Sequence, residues 1–580
     1  MRKILLSGLL PPLLTTVAFA GALPGRYFEL MEAGAIQVDA RLTAEPNADL
    51  DNLEKTPGWK HFGYSILAPA VLYAKRDPAN HRYHDPKMLA LAIRIGDLLA
   101  SENEKGKFTP RLDSDWDTYT WLEAYRLLES DLGSERRERW KRAILGNTAP
   151  FAPDAADRLN FPWYQSPYIG TSPNHYSQWA ELLYLAGRVF DKPDWVRLGS
   201  EILHRFAASE QTPDGYWGEH SRAGPTIGYD HLTLSAVALY AEYQQDPVVL
   251  EALRRSTDFH KYFTYPDGTP VETMNNRNRY WGVSPWAQFA FTHFPDGRRY
   301  AEFLTGFFNS DRLPMDVLGR LSQDALYYHE GPSAPIPQDQ DGYMYRMTIP
   351  AGIRKTGPWV VSLSGIVETQ AINNQFYVDR QSNLSVFHNK LGLIISGANS
   401  KRQPELATFR EKIGGVIYHL PLSSRLEMSD TRDRLSVSFN TFFSDLYVEP
   451  ASEHEVQFRF VINGKGTPPE EAFATLQLVM KPGEDLETGD GKKITLGSER
   501  LELAPEQIGG WIRHHGWTLH ADPAARLLWP VYPYNPYADA PETTLDHAVA
   551  ALSVPLRLKS RSGHFVRPEE QEIPFALRAE

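Results

Sequence analysis

The chain gathers its most reactive side chains into three short stretches. Asp214-Gly215-Tyr216-Trp217-Gly218-Glu219-His220 is followed nine positions later by Tyr229. Upstream stands Ser172-Pro173-Asn174-His175-Tyr176, and downstream Asn275-Asn276-Arg277-Asn278-Arg279-Tyr280-Trp281. Together they supply an amide, imidazoles, phenols and guanidiniums. Such a set suits removal of a proton beside a carboxylate, followed by elimination. An amide or cation on the carboxylate lowers the cost of the enolate-like intermediate. A phenol or imidazole takes the proton, and an acid protonates the leaving oxygen. A uronic-acid polysaccharide offers both halves of that reaction, the proton on C5 and the leaving oxygen on O4.

In this reading Asn174 donates to the sugar carboxylate. His220 is base or carboxylate partner, Tyr229 is base and acid, and Arg277 or Arg279 binds the carboxylate and favours the phenolate. His175, Tyr176, Trp217, Arg222 and His231 are close enough in sequence to line the same cleft. Asn275, Asn276 and Trp116 join them as candidate substrate contacts. Each residue also has a plainer reading. Asn174 after Ser-Pro suits a helix cap, Pro213-Asp214-Gly215 suits a turn, and Arg277 and Arg279 suit a solvated loop.

Two different periods surround these stretches. From about residue 58 to 310 apolar residues recur at helical spacing, as in Met88–Leu99, Trp116–Leu128, Trp179–Val189 and Leu232–Tyr243. Each of the last three is followed by an Asp-bearing turn and a second helix: Arg136–Leu145, Trp195–Phe206 and Val249–Arg255. Tyr125, Tyr184 and Tyr240 recur at spacings of 59 and 56 residues. One helical hairpin per repeat, with long loops between, predicts an α/α toroid carrying its functional loops on one face. After about residue 340 short β-branched and aromatic bursts predict antiparallel sheets packed as sandwiches: Val378–Phe387, Leu391–Ile395, Leu435–Phe439, Val456–Ile462, Thr475–Met480 and Val554–Leu558. Ser333–Gln340 reads as the linker. The polar stretch Ser396–Glu405 reads as a turn that could touch substrate from the facing domain. The expected organisation is a signal peptide at 1–20, a catalytic toroid at 21–335 and a β-sandwich region at 336–580.

The run from Asp214 to His220, with Tyr229 nine residues on, resembles the His/Tyr motif of the polysaccharide lyase family 8 enzymes. Asn174, with Trp179 after it, resembles that family's Asn on a helix-start motif, and Arg277 or Arg279 its later Arg. In place of the family's Trp-rich run this chain has Asn174-His175-Tyr176-Ser177-Gln178-Trp179. The resemblance implies a toroid followed by antiparallel sheets, shared with heparinase II/III-like and alginate lyases, and a site built from Asn, His, Tyr and Arg. It implies no cofactor and does not name the sugar.

Composition narrows the rest. Arg2 and Lys3 precede an apolar run, Ile4–Val17, and Ala18-Phe19-Ala20 offers a cleavage site. A secreted or periplasmic protein with no membrane span in its mature part is expected. The chain has no cysteine, which excludes thiolate catalysis. A net charge of −12 argues against nucleic acid as partner and leaves an anionic polysaccharide to be met by a locally basic cleft. His388, His514 and His515 form no zinc signature. No metal is assigned, and a structural ion is left open. Two alternatives stand beside the lyase: a glycoside hydrolase using two of Asp115, Asp117, Asp214 and Glu219, and a non-catalytic carbohydrate-binding protein.

Overall fold

The computed structural model describes residues 23–580 apart from 111–114, 169–170, 220–221, 223, 276–281, 368–382, 398–402, 536–539, 542 and 559–569. The proposed signal segment lies outside the described residues.

The helical half is a closed ring of hairpins. Its inner helices are Leu67–Ala74, Trp116–Leu128, Pro173–Val189, Ile227–Gln244, Gln288–Phe291 and Met315–Tyr327. These are buried on almost every side; in Pro173–Val189 nearly every residue from Pro173 to Gly187 is covered. A helix apolar all round belongs inside. The outer helices bury one stripe, as Pro86–Glu104 does through Met88, Leu91, Ala92, Ile95 and Leu99. Several starts are written in the sequence. Asp85 and Asp246 accept the N–H groups of Lys87 and Val248, and Pro86 and Pro247 occupy the first helical position. The ring closes where Met315–Tyr327 packs on Leu23–Ala44 and Leu67–Ala74. Gly34 and Gly319 allow that approach. A Cβ at Gly34 would come within 2.4 Å of Leu318, and one at Gly319 within 2.7 Å of Tyr64.

The second half holds an 11-stranded and a 9-stranded sheet, with every strand pair antiparallel, and a small two-stranded one. Strands Trp359–Ser364 and Leu384–His388 are buried along their whole length. Alternate residues face different partners. Val361, Leu363 and Val386 pack with Leu435, Phe458 and Phe575 of the second sheet. Val360 and Phe387 pack with Phe259, Phe263 and Tyr265 of the ring. The first sheet is therefore a middle layer, which explains its continuous apolar runs. The second sheet has one covered face, and Asp433–Ser438 alternates buried and half-buried.

Below the ring's rim a polar network crosses the core. Gln323 Nε2 donates to the Tyr119 phenol (2.9 Å) and to Glu181 Oε1 (3.3 Å), and Ser235 donates to Gln323 Oε1 (3.0 Å). Burial pushes the Glu181 carboxyl up to about 8, although Arg320 nearby works the other way. A buried acid that keeps its proton while the unfolded chain gives it up loses stability between the two pKa values. Folding stability should fall as pH rises from about 4.5 to 8, by on the order of a few kcal/mol at this one group. Glu181→Gln should remove that part of the decline, read as a flatter dependence of Tm on pH than in the parent chain.

Candidate active site

The two described catalytic candidates sit at one rim of the ring. Asn174 lies in the first turn of Pro173–Val189, and Tyr229 in the first turn of Ile227–Gln244. These inner helices run parallel, because the outer helix Pro193–Arg205 between them in sequence reverses the chain. They also pack side by side. The rings of Tyr184 and Tyr240 lie 5.4 Å apart, and Gln244 Nε2 donates to the Tyr184 phenol (2.9 Å). Counting back ten residues from Tyr184 reaches Asn174, and eleven from Tyr240 reaches Tyr229. Each stretch is about 15 Å of helix, so both residues arrive at the same level. Asn275 comes to this rim as well, through an antiparallel bridge between Thr226 and Asn275.

The structure corrects the capping reading of Asn174. Pro173 takes the first helical position and Ser172 the cap position, so Asn174 is already inside the helix. Asn174 is buried, and its Oδ1 accepts no hydrogen bond from any described residue. A buried amide oxygen without a partner costs about 1–3 kcal/mol, a cost commonly borne where a ligand is to be met. The parallel helix starts add the positive end of their dipoles along this rim, which favours an anion there.

The loop carrying Asp214 to Glu219 is held from three sides. Its turn is real: Gly215 has φ +90°, and a Cβ there would meet the Arg255 carbonyl at 2.3 Å. Asp214 accepts the Thr348 N–H (2.8 Å) and hydroxyl (2.6 Å), which ties the turn to the first sheet. The Trp217 N–H donates to Asp230 Oδ1 (2.6 Å), while Asp230 Oδ2 meets His260 Nε2 (2.7 Å). The loop is thus fixed immediately before His220.

His220, Asn276, Arg277 and Arg279 lie outside the described residues. Four expected substrate contacts are buried, with their polar atoms or ring faces taken up by neighbouring protein groups. Tyr176 is fully buried and donates to the Ala155 carbonyl (3.1 Å). Trp217 is buried, with its indole N–H on the Phe206 carbonyl (2.9 Å). His231 is buried and stacks on His260 (4.0 Å). Burial there, followed by the neighbouring His260, holds it well below the usual histidine range and so neutral. Trp116 is buried beneath the Arg320 guanidinium, 3.3 Å from the ring centroid. Closeness in sequence does not settle which side of a helix a residue faces. His175 is half-buried beside Asn174, Asn275 is buried at its bridge, and Arg222 is exposed over the Tyr164 ring (5.0 Å).

Among the hydrolase candidates, Asp115 caps Trp116–Leu128 and Asp214 anchors the sheet. Asp117 is buried with His61 Nδ1 3.7 Å from its carboxylate. His61 stands at the start of the innermost turn Phe62–Ile66 with left-handed backbone (φ 61°), and the motif reading passes it by. Its backbone angle and its approach to Asp117 distinguish it, and sequence shows neither.

Comparison with known proteins agrees with this architecture. Residues 99–293 match the family model described as the ulvan lyase N-terminal domain. The fold is similar to heparinase III, at 14% identity and TM-score 0.52, over 92% of this chain and 77% of that one. It is also similar to a Paenibacillus xanthan lyase, at 10% identity and TM-score 0.53, over 96% of this chain and 57% of that one. The ring and sheets share their fold with these two lyases, and the family match covers part of the ring. The resemblance read from the sequence therefore holds at the level of fold. A comparison with the curated proteins finds no match.

Tyr176→Phe separates a wall residue from a substrate contact. Loss of the buried bond to Ala155 should cost about 1 kcal/mol and lower Tm in a thermal melt. KM and kcat should stay within about twofold of the parent, since the phenol is fully buried.

Proposed function

We propose that the protein is a polysaccharide lyase (a carbon–oxygen lyase) that cleaves a uronic-acid-containing polysaccharide by β-elimination. One observation carries this reading: Asn174 and Tyr229 reach the same rim at the starts of two parallel inner helices, beside the anchored loop that leads into His220. The family model and the two folds support the class. The polymers those proteins are named for, ulvan, heparin-type chains and xanthan, make a panel to test.

The chemistry follows from the side chains. Asn174 turns its amide so that the NH₂ donates to the sugar carboxylate, and Arg277 or Arg279 supplies the cation. Charge that develops on the carboxylate as C5 loses its proton then meets donors already in place. Tyr229, as phenolate, takes the C5 proton and returns one to the leaving O4. His220 orients the phenol or shares the base role. Export to the periplasm or beyond, directed by residues 1–20, would put the enzyme where such polymers are met. Among the described residues no helix is long and apolar enough to cross a membrane.

On a panel of ulvan, heparan sulfate, chondroitin and xanthan, an active chain should release ends with a C4–C5 double bond, read by ultraviolet absorbance. Tyr229→Phe should lower kcat by about 10²–10⁴, and Asn174→Ala by about 10²–10³, with Tm close to that of the parent. If Tyr229→Phe kept full activity while Asp117→Asn or Glu219→Gln abolished it, the hydrolase would replace the lyase.

A further inference from the structure

Far from this rim, three side chains that no catalytic step uses converge on one point. Glu242 stands near the C-terminal end of Ile227–Gln244. His293 lies in the turn between Gln288–Phe291 and Pro295–Thr305, and His329 just past Met315–Tyr327. His329 Nε2 is 2.8 Å and His293 Nε2 3.0 Å from the same oxygen, Glu242 Oε1. The two imidazole rings lie 4.0 Å apart, and one ligand atom from each residue falls within 4.8 Å of the others.

The contacts differ in kind. His329 makes a hydrogen bond to Glu242, but His293 Nε2 is buried and makes none, despite its closeness to the carboxylate. Its lone pair or proton is aimed beside the oxygen rather than along it. Two imidazole nitrogens and a carboxylate oxygen around a common point are the donor set of a zinc-type ion, with metal–ligand distances of about 2.0–2.2 Å. Ligands at that radius on a tetrahedron stand about 3.3 Å apart, so the two imidazole–carboxylate spacings need to open by only a few tenths of an ångström. The side chains of Glu242 and His293 are 12% exposed and that of His329 38%, which leaves the fourth position to water.

The backbone is prepared for it. The His329 N–H donates to Thr292 Oγ1 (3.1 Å), which ties the segments on either side of the two histidines together. Thr292 in turn donates to the Phe289 carbonyl (2.6 Å), and Arg298 donates to the Thr292 carbonyl (2.8 Å) and the Pro332 carbonyl (2.9 Å).

We infer that Glu242, His293 and His329 form a binding site for a zinc-type divalent transition-metal ion, which clamps three successive inner segments where the ring closes. Thirteen residues of helix, about 20 Å, separate Glu242 from Tyr229, so the ion is structural and takes no part in elimination. The three ligands are 51 and 36 residues apart in sequence, and no short spaced motif announces them.

The test uses tag-free, full-length protein stripped with a chelator. Zinc titrated by calorimetry, with metal content measured by mass spectrometry after dialysis, should give one tightly held ion per chain in the parent and raise its Tm by several degrees. His329→Ala, altered at the most exposed ligand, and Glu242→Gln, close in shape to the parent, should each weaken zinc affinity at least tenfold and lose the Tm gain. Cobalt in place of zinc should give the intense visible bands of a tetrahedral ion in the parent only. No zinc uptake by the stripped parent, or uptake and a Tm gain equal in both variants, overturns the site. The triad would then be a metal-free hydrogen-bonded cluster.

Discussion

The clamp between the helical ring and the first sheet is the constraint on which the candidate site depends. Asp214 accepts two hydrogen bonds from Thr348. Glu272 accepts the Tyr265 phenol (3.0 Å) and the Gly397 N–H (3.0 Å), and Thr273 meets Ser362 (2.7 Å). These residues flank the two loops that carry His220 and the Arg277–Arg279 pair. Around them an apolar layer of Ile227, Val271, Met274, Ile353 and Phe387 excludes water, which strengthens each bond. Loops alone would scatter catalytic groups. Bonds to the sheet at Asp214, Glu272 and Thr273 hold the described residues that lead into them.

Electrostatics make the same rim suited to an anion on an acidic protein. The net charge of −12 repels polyanions at long range, screened within about 10 Å at ordinary salt. Among the described residues, local attraction comes from the parallel helix starts and the Asn174 amide. Buried carboxylates behind the rim do not counter this. Burial favours the protonated form of Glu181, and Glu123 is engaged by Tyr119, Arg126 and Tyr327.

Much of this is legible in the sequence, and the gaps have physical causes. Trp116–Leu128 can be read to its ends because its apolar face and its Asp115 cap agree. The recurrence of Tyr125, Tyr184 and Tyr240 marks equivalent places on successive inner helices, and Tyr184 and Tyr240 touch. Leu23–Ala44 carries a regular buried stripe, Tyr27, Met31, Ala35, Val38 and Leu42, but lies before the span read as helical. Met315–Tyr327 lies beyond the span read as helical, and it buries polar residues such as Arg320, Gln323 and Asp324 as well as its apolar ones. The strand expected over Val554–Leu558 is observed at Val549–Pro555, since Ala550 and Ala551 carry no β-branched signal. At the candidate site, motif spacing singles out Asn174 and Tyr229, which the structure brings to one rim. Tyr176, Trp217, His231 and Trp116 are buried, a distinction between ring-filling and rim positions that sequence does not make, and the Glu242–His293–His329 cluster exists only in three dimensions.

The central claim is spatial: one sugar acid is held between the Asn174 amide and the Tyr229 phenol. A crystal structure of an inactive Tyr229→Phe variant with a uronate oligosaccharide tests it most directly. The carboxylate should lie within hydrogen-bond distance of the Asn174 side chain, with C5 facing the edge of the substituted phenyl ring where the phenol oxygen of the parent would be. A sugar bound elsewhere, or a carboxylate that no contact links to Asn174 while the phenyl ring stays turned from the groove, would contradict it.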